Sequence, residues 1–426
     1  MVISNQPPKG TADWLPKELK IRQAIFGMWR KICQKYGYEE YLTPIVESAE
    51  IYRAKSGEDV GGKELVTFTD LGGRELAIRP EMTPSVTRLV SQIYEAAPKP
   101  IRYFSIANFM RNEKPQRGRN REFWQLNCDI FGSDSLQAEI EILQLALDIM
   151  LAFGATPEHF SLGLNHRILL DGILAEVLDD DSKKIQVVRL LDKYQKMSRA
   201  DFGQALAEAG VSEEGVKKLL AFMQAESLEE LIKKIPKLKN NAGVNDLALV
   251  MQNLAELGYG DFIKFKPDVI RGFDYYDGLV FEVFDLHPDN KRALFGGGRY
   301  NGLANIFGTK SFPAVGFAPG DEPTKLFLES WKLLDNLLFN SDILYYLPIL
   351  DNSLKQQAAK LAQLLRSNNK HVILGLEEAK VGKALDWANK QNATHVIIFG
   401  LDEAKRKIYK IKDMATGKEK KEKFKF

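Results

Sequence analysis

Met110–Gly132 reads MRNEKPQRGRNREFWQLNCDIFG and carries a clear strand pattern in its second half. From Glu122 its residues sort with a period of two, the spacing at which side chains return to one face of a strand. Trp124, Leu126, Cys128 and Ile130 fall on one side and require a core. Phe123, Gln125, Asn127 and Asp129 fall on the other, a polar face with an aromatic ring at its end. Ile101–Asn112 reads as a partner strand, and an Arg-rich segment joins the two into a hairpin on which Arg111 and Glu113 share a face. Guanidinium forks match phosphate oxygens in two-point contact. A phenyl ring stacks on a purine, and a carboxylate receives an ammonium. The open face therefore suits a ligand carrying phosphates, a flat base and an amine. The same composition suits a solvated surface, and this segment alone leaves both readings open.

Outward from the hairpin, Ile21, Ile25, Met28, Trp29, Ile32 and Tyr36 recur at helical spacing, and Gly37 closes that helix. LVTFT and RELAI flank Asp70-Leu71-Gly72-Gly73 as a second hairpin. A helix over 136–153 ends at Gly154. These elements predict an α+β fold, with a six- or seven-stranded antiparallel sheet flanked by helices. Residues 171–260 are helical in pattern without a catalytic motif, and read as an insertion because strand and glycine signals resume at Phe265. From about Asp342, ILYYLPIL, HVILGL, THVIIFG and IYKIKDM alternate with helices, one carrying Leu354, Ala358, Leu361 and Leu365. That alternation predicts a small α/β domain with a largely parallel sheet. The expected division is 1–170 and 261–335 as two parts of a core, 171–260 as the insertion, and 340–426 as a C-terminal domain.

Composition narrows the class. The chain has 426 residues, 45% of them hydrophobic. No apolar run approaches the roughly 20 residues of a membrane span, so no membrane partner is expected. MVISNQPPKG has no basic region leading into an apolar stretch, so no secretory signal is expected. The two cysteines, Cys33 and Cys128, lie far apart and away from any His pair. Neither a disulfide framework nor a metal site is expected, which fits a cytoplasmic protein. The formal charge of +2 is nearly balanced. Local basic stretches at 111–121 and 405–425 could still hold a phosphate backbone. The lysine-rich tail equally reads as a solvated terminus.

Three further segments carry candidate chemistry: AIRPEMTPSV (77–86), RGFDYYDGLVFE (271–282) and LFGGGRYNGL (294–303). Their plain readings are a polar loop with Thr83 capping a helix, a strand start with Arg271 paired to Asp274, and a tight turn at the glycine triplet.

Taken with PPKGTADWLP near the start and YGYEEYLTPIVE (36–47), these segments resemble, in order and spacing, the class II histidyl-tRNA synthetase family over essentially the whole chain. The resemblance implies an ATP-dependent histidine–tRNA ligase that forms histidyl-adenylate and passes histidine to the 3′ end of histidine tRNA. It implies a homodimer through the segment around Pro44, and a C-terminal anticodon-binding-like domain. Arg111 and Arg271 would hold the α-phosphate and the histidine carboxylate. Glu113 and Arg119 would contact ATP, Phe123 would stack on adenine, and Arg121 lies beside them. Glu81, Thr83, Gln125, Asp129, Tyr275, Tyr276 and Tyr300 would surround histidine. ATP would enter with Mg2+, without a tightly bound cofactor.

The chain departs from the family pattern at Gly320-Asp321-Glu322-Pro323, where Pro323 replaces an arginine that usually clamps ATP, with Lys325 the nearest cation in sequence. Asp129 replaces a common Glu, and Asn120 and Trp124 replace the usual Tyr and His. The resemblance extends to two other classes: a non-aminoacylating paralogue such as an ATP phosphoribosyltransferase regulatory subunit, and a catalytically silent RNA-binding protein. Retention of the hairpin, Arg271 and the C-terminal region favours the ligase.

Overall fold

A computed structural model describes residues 3–54, 59–270, 276–290, 293–338 and 343–424. The chain divides into two units, 1–338 and 339–426. In the first, eight strands form one sheet: β1 (Glu39–Glu40), β5 (Ile101–Met110), β6 (Glu122–Phe131), β7 (Phe160–His166), β8 (Ile263–Phe265), β9 (Leu279–Asp285), β10 (Ala293–Arg299) and β11 (Ala314–Phe317). Their order is β1-β5-β6-β11-β10-β9-β7-β8. The six central strands run antiparallel, as expected. The edge strands β1 and β8 add in parallel, and at two and three residues they are too short for an alternation to announce them. A small antiparallel sheet of β2 (Val46–Ser48), β4 (Glu75–Ile78) and β3 (Val66–Thr69) contains the second predicted hairpin.

The alternation of β6 sets two layers. Leu126, Cys128 and Ile130 join Ile21, Ile25, Trp29, Ile32 and Cys33 of the helix Pro16–Lys35 and the apolar side chains of the helix Leu136–Ala152 in one core. Trp124 stands over Trp14 and Phe26, with ring centroids 6.3 and 5.4 Å away. Cys33 and Cys128 are free thiols whose sulfurs meet at 3.3 Å. On the opposite face Phe109, Phe131, Tyr300 and Phe312 pack with Met82, Val86 and Val90, around the helix Thr83–Ile93. Gly37 and Gly154 end their helices with positive φ of 77° and 85°, the conformation glycine adopts without a Cβ penalty.

Helices from Arg167–Val177 to Ala242–Leu254 fill the predicted insertion. Their starts are chemically set: the side chains of His166, Ser198, Ser212, Ser227 and Asn241 each accept a first-turn backbone N–H. Their buried faces are continuous with the core of the sheet.

The second unit has strands β12 (Leu344–Ile349), β13 (His371–Glu378), β14 (His395–Ile398), β15 (Ile408–Asp413) and β16 (Glu419–Lys423), ordered β13-β12-β14-β15-β16. The first three are parallel, whereas β15 and β16 add antiparallel. The lysine-rich tail is therefore a hairpin. Tyr409, Ile411 and Phe424 bury one side of it against Phe399, while Asp413 accepts the amides of Ala415 and Thr416 at the turn. Lysines on the alternate positions hid this pattern behind their charge.

Ile25 is fully buried between helix and sheet. Ile25→Ala is expected to lower unfolding free energy by about 2–5 kcal/mol, read as a shifted urea midpoint of the first unit.

Candidate active site

The hairpin β5–β6 pairs Phe109 with Phe123, Ala107 with Gln125, Ser105 with Asn127 and Tyr103 with Asp129. The polar row read from the sequence is thus one continuous face. Beside it, β11 and β10 supply a floor almost without side chains: Gly316 faces Gly298, and Gly297 faces Phe317. The triplet Gly296–Gly298 is strand, not the tight turn of its plain reading. A Cβ at Gly297 would collide with the carbonyl of Gly316, and one at Gly298 would stand 2.9 Å from the Tyr276 ring. A Cβ at Gly316 would strike the Asp129 carboxylate. Here glycine lets neighbouring protein groups approach closely.

Asp129 is 4% exposed, and Tyr300 donates its hydroxyl to Oδ1 at 2.5 Å. Burial pushes this carboxyl up to about 7, with the Tyr300 hydrogen bond opposing that rise. Tyr276 shares the apolar layer of Tyr300 and Phe123. Burial raises its hydroxyl strongly, and the carboxylates of Glu81, Asp129 and Glu282 add to the rise. Glu282 carries no sequence signal of this placement, lying among Leu279, Val280, Phe281, Val283 and Phe284 on β9.

At the open end, Arg111 donates Nε to the carbonyl of Pro80 at 3.0 Å, and its guanidinium lies 5.2 Å from the Phe123 ring centroid. Burial lowers its pKa, while Glu81, Glu113 and Glu64 act to raise it. Glu113 is buried and paired with Arg119 at 2.6 Å. Arg121 donates to the carbonyl of Glu113, and its backbone amide donates to that of Gly10. Arg79 fixes the approach of the Glu81 segment by donating to the carbonyls of Thr43 and Asn108. Thr83 is the first residue of its helix; Met82 is the N-cap position, so the expected Thr83 cap does not form. Glu64 likewise comes from an irregular loop without a motif, held by its carbonyl to the Asn112 amide.

The divergent turn is built into the scaffold. Arg22, from the first helix, donates to Asp321 at 2.8 Å and to Glu322 at 2.6 Å. Asn120 also donates to Glu322. Pro323 sits in the first turn of the helix Asp321–Ser330, where a missing N–H costs no helical bond. Lys325 pairs with Glu18 and Glu329.

Arg111, Phe123, Gln125, Asp129, Tyr276 and Tyr300 thus converge, with Glu81 linked to both ends through Arg111 and Tyr276. Arg271 and Tyr275 lie outside the described residues. No group of three or more His, Cys, Asp or Glu placed to hold a metal occurs among the described residues. No helix among them is long and apolar enough to cross a membrane. A separate groove of about 610 Å³ between β8 and the helical segment contains none of the candidate residues.

Comparison with known proteins adds relatives to this geometry. The family model for histidyl-tRNA synthetase matches residues 10–320, and that for an anticodon binding domain matches 344–425. A histidine–tRNA ligase of Leptospira biflexa is 39% identical over 418 residues, covering 97% of this chain and 94% of that protein. One from Thermococcus kodakarensis is 36% identical over 420 residues, with 97% and 94% covered. The crystal structure of histidyl-tRNA synthetase from Nostoc sp. PCC 7120 superposes with a TM-score of 0.83 at 22% identity, covering 99% of this chain and 97% of that one, and supports the fold.

The raised Asp129 pKa gives a stability prediction. Relative to the unfolded chain, its contribution is fully present below about pH 4 and is lost as pH rises through about 7. Asp129→Asn removes that loss, so the variant is expected to gain stability over the parent by on the order of 4 kcal/mol across this window. Urea unfolding at stepped pH reads the difference, and parallel curves would contradict it.

Proposed function

The chain belongs to the histidyl-tRNA synthetase family, and from that premise we infer that it is a histidine–tRNA ligase. It activates L-histidine with ATP and transfers the product to tRNA. The observation that carries the site assignment is the single sheet face that joins the Arg111–Phe123 pair at one end to the Asp129–Tyr300 pair at the other. One end has the chemistry for a nucleotide, the other for a polar ring.

In this reading Phe123 stacks on adenine and Glu113 with Arg119 contacts ATP. Arg111 and Arg271 hold the α-phosphate and the substrate carboxylate. A carboxylate oxygen of histidine attacks the α-phosphorus in line, and the bond to pyrophosphate breaks. Fixed guanidinium groups favour that step by orienting the reactants and by stabilising the charge that develops. ATP would enter as its Mg2+ complex. Glu81, Thr83 and Gln125 receive the α-amino group, and Asp129, Tyr275, Tyr276 and Tyr300 surround the imidazole. An apolar side chain of similar size would leave these buried polar groups unpaired, which penalises it heavily. The ribose hydroxyl at the 3′ end of histidine tRNA then attacks the adenylate carbonyl and releases AMP.

Residues 1–170 and 261–335 are assigned to activation and 171–260 to contact with tRNA. Anticodon binding is assigned to 340–426, supported by the match of that region to an anticodon-binding model. Exposed Leu42 and Ile45 flank Pro44, consistent with a homodimer through this segment. The cytoplasm, with its tRNA and ATP, is the proposed location.

The test is histidine-dependent exchange of labelled pyrophosphate into ATP, followed by charging of histidine tRNA. Wild-type protein is expected to support both. Arg111→Ala and Arg271→Ala are each expected to lower exchange at least about a hundredfold, comparable to removing one group that stabilises transition-state charge. Absence of exchange with the wild-type protein would favour the regulatory paralogue.

A further inference from the structure

Strand β11 ends at Phe317, yet its pairing with β6 continues through the turn that follows. Leu126 donates its amide to the carbonyl of Pro319 at 3.0 Å, and Gln125 bridges to Gly320. At Asp321 the chain turns into the helix Asp321–Ser330, so its backbone leaves the ladder. The next amide on this edge of β6, that of Trp124, instead donates to Oδ1 of Asp321 at 2.9 Å. A side-chain carboxylate stands where a strand carbonyl would otherwise be.

That carboxylate is itself held. Asp321 is 0% exposed, and its second oxygen accepts from Nη1 of Arg22 at 2.8 Å. Arg22 is buried with it, lies 5.2 Å from the Trp14 ring centroid, and also binds Glu18 and Glu322. Glu322 in turn accepts from Asn120 in the hairpin loop at 3.0 Å. Phe123 lies between these attachments at Asn120 and Trp124, and faces the opposite side of the sheet from Arg22.

We propose that Asp321 is a positioning residue for nucleotide binding: by completing the outer edge of β6 it sets the placement of Phe123 without touching the ligand. This rests on the reading that Phe123 stacks on adenine. Loss of a charge-assisted bond to a backbone amide in a buried setting leaves that amide unpaired. The consequence falls on the residue next to it, which belongs to the adenine end of the face and not the imidazole end.

Pyrophosphate exchange by the full chain, titrated separately in ATP and histidine, tests this with Asp321→Ala, Asp321→Asn and Phe123→Ala. Asp321→Ala is expected to raise KM for ATP roughly tenfold, and Asp321→Asn, which keeps an acceptor oxygen but loses the charge toward Arg22, roughly threefold. The histidine KM is expected to stay within about twofold in both, a split that general loosening of the fold would not produce. Adding Asp321→Ala to Phe123→Ala is expected to raise KM for ATP little further, because the first acts through the second. If Asp321→Ala does not fold, Asp321→Asn decides alone. Unchanged ATP KM in the folded Asp321 variants, or an equal rise in both KM values, overturns the positioning role. Unchanged ATP KM in Phe123→Ala overturns the stacking reading on which it rests.

Discussion

The first unit depends on the fixed facing of β6. Leu126, Cys128 and Ile130 are locked under the helices Pro16–Lys35 and Leu136–Ala152, so Phe123, Gln125, Asn127 and Asp129 must look the other way. A slip of one residue would exchange the two sets, burying three polar groups in the helical layer and stripping the opposite face of its chemistry. The requirement for a core thus aims the candidate ligand residues. Arg22 with Asp321, and the pairing of β5 with β6 through Glu122, carry the same register to the end of the strand.

Around that face the fold removes side chains where it needs room. Gly298 and Gly316 sit opposite each other, and their missing Cβ atoms make space for the Tyr276 ring and the Asp129 carboxylate. The latter is buried deeply enough that its charge is disfavoured, and Tyr300 supplies a compensating donor. Asn127, next along the strand, keeps its buried Nδ2 without a hydrogen-bond partner. An unpaired polar group of this kind in a buried layer carries a desolvation cost.

Much of this was legible in the chain. The hairpin, its two faces, the helix ends at Gly37 and Gly154, and the separate C-terminal α/β unit follow from period and from glycine chemistry. Six candidate ligand residues were recognisable by resemblance and do converge. Other features had no local signal. Arg22 meets Asp321 across 299 positions, and neither residue type announces such a partner. Glu64 comes from an irregular loop, and Glu282 hides in an apolar strand. The glycine triplet reads as a turn until its neighbouring strands are known. Strands of two and three residues at the sheet edges carry no period, and the lysines of the C-terminal hairpin conceal its apolar side.

One sheet face is proposed to hold both the nucleotide and the imidazole. A crystal structure with histidine and a non-hydrolysable ATP analogue would show whether it does. The expected result has the adenine ring against Phe123 and the imidazole within hydrogen-bond distance of Asp129, with Arg111 between them at the α-phosphate. Ligands bound in the groove beside β8, or an imidazole turned away from Asp129, would contradict it.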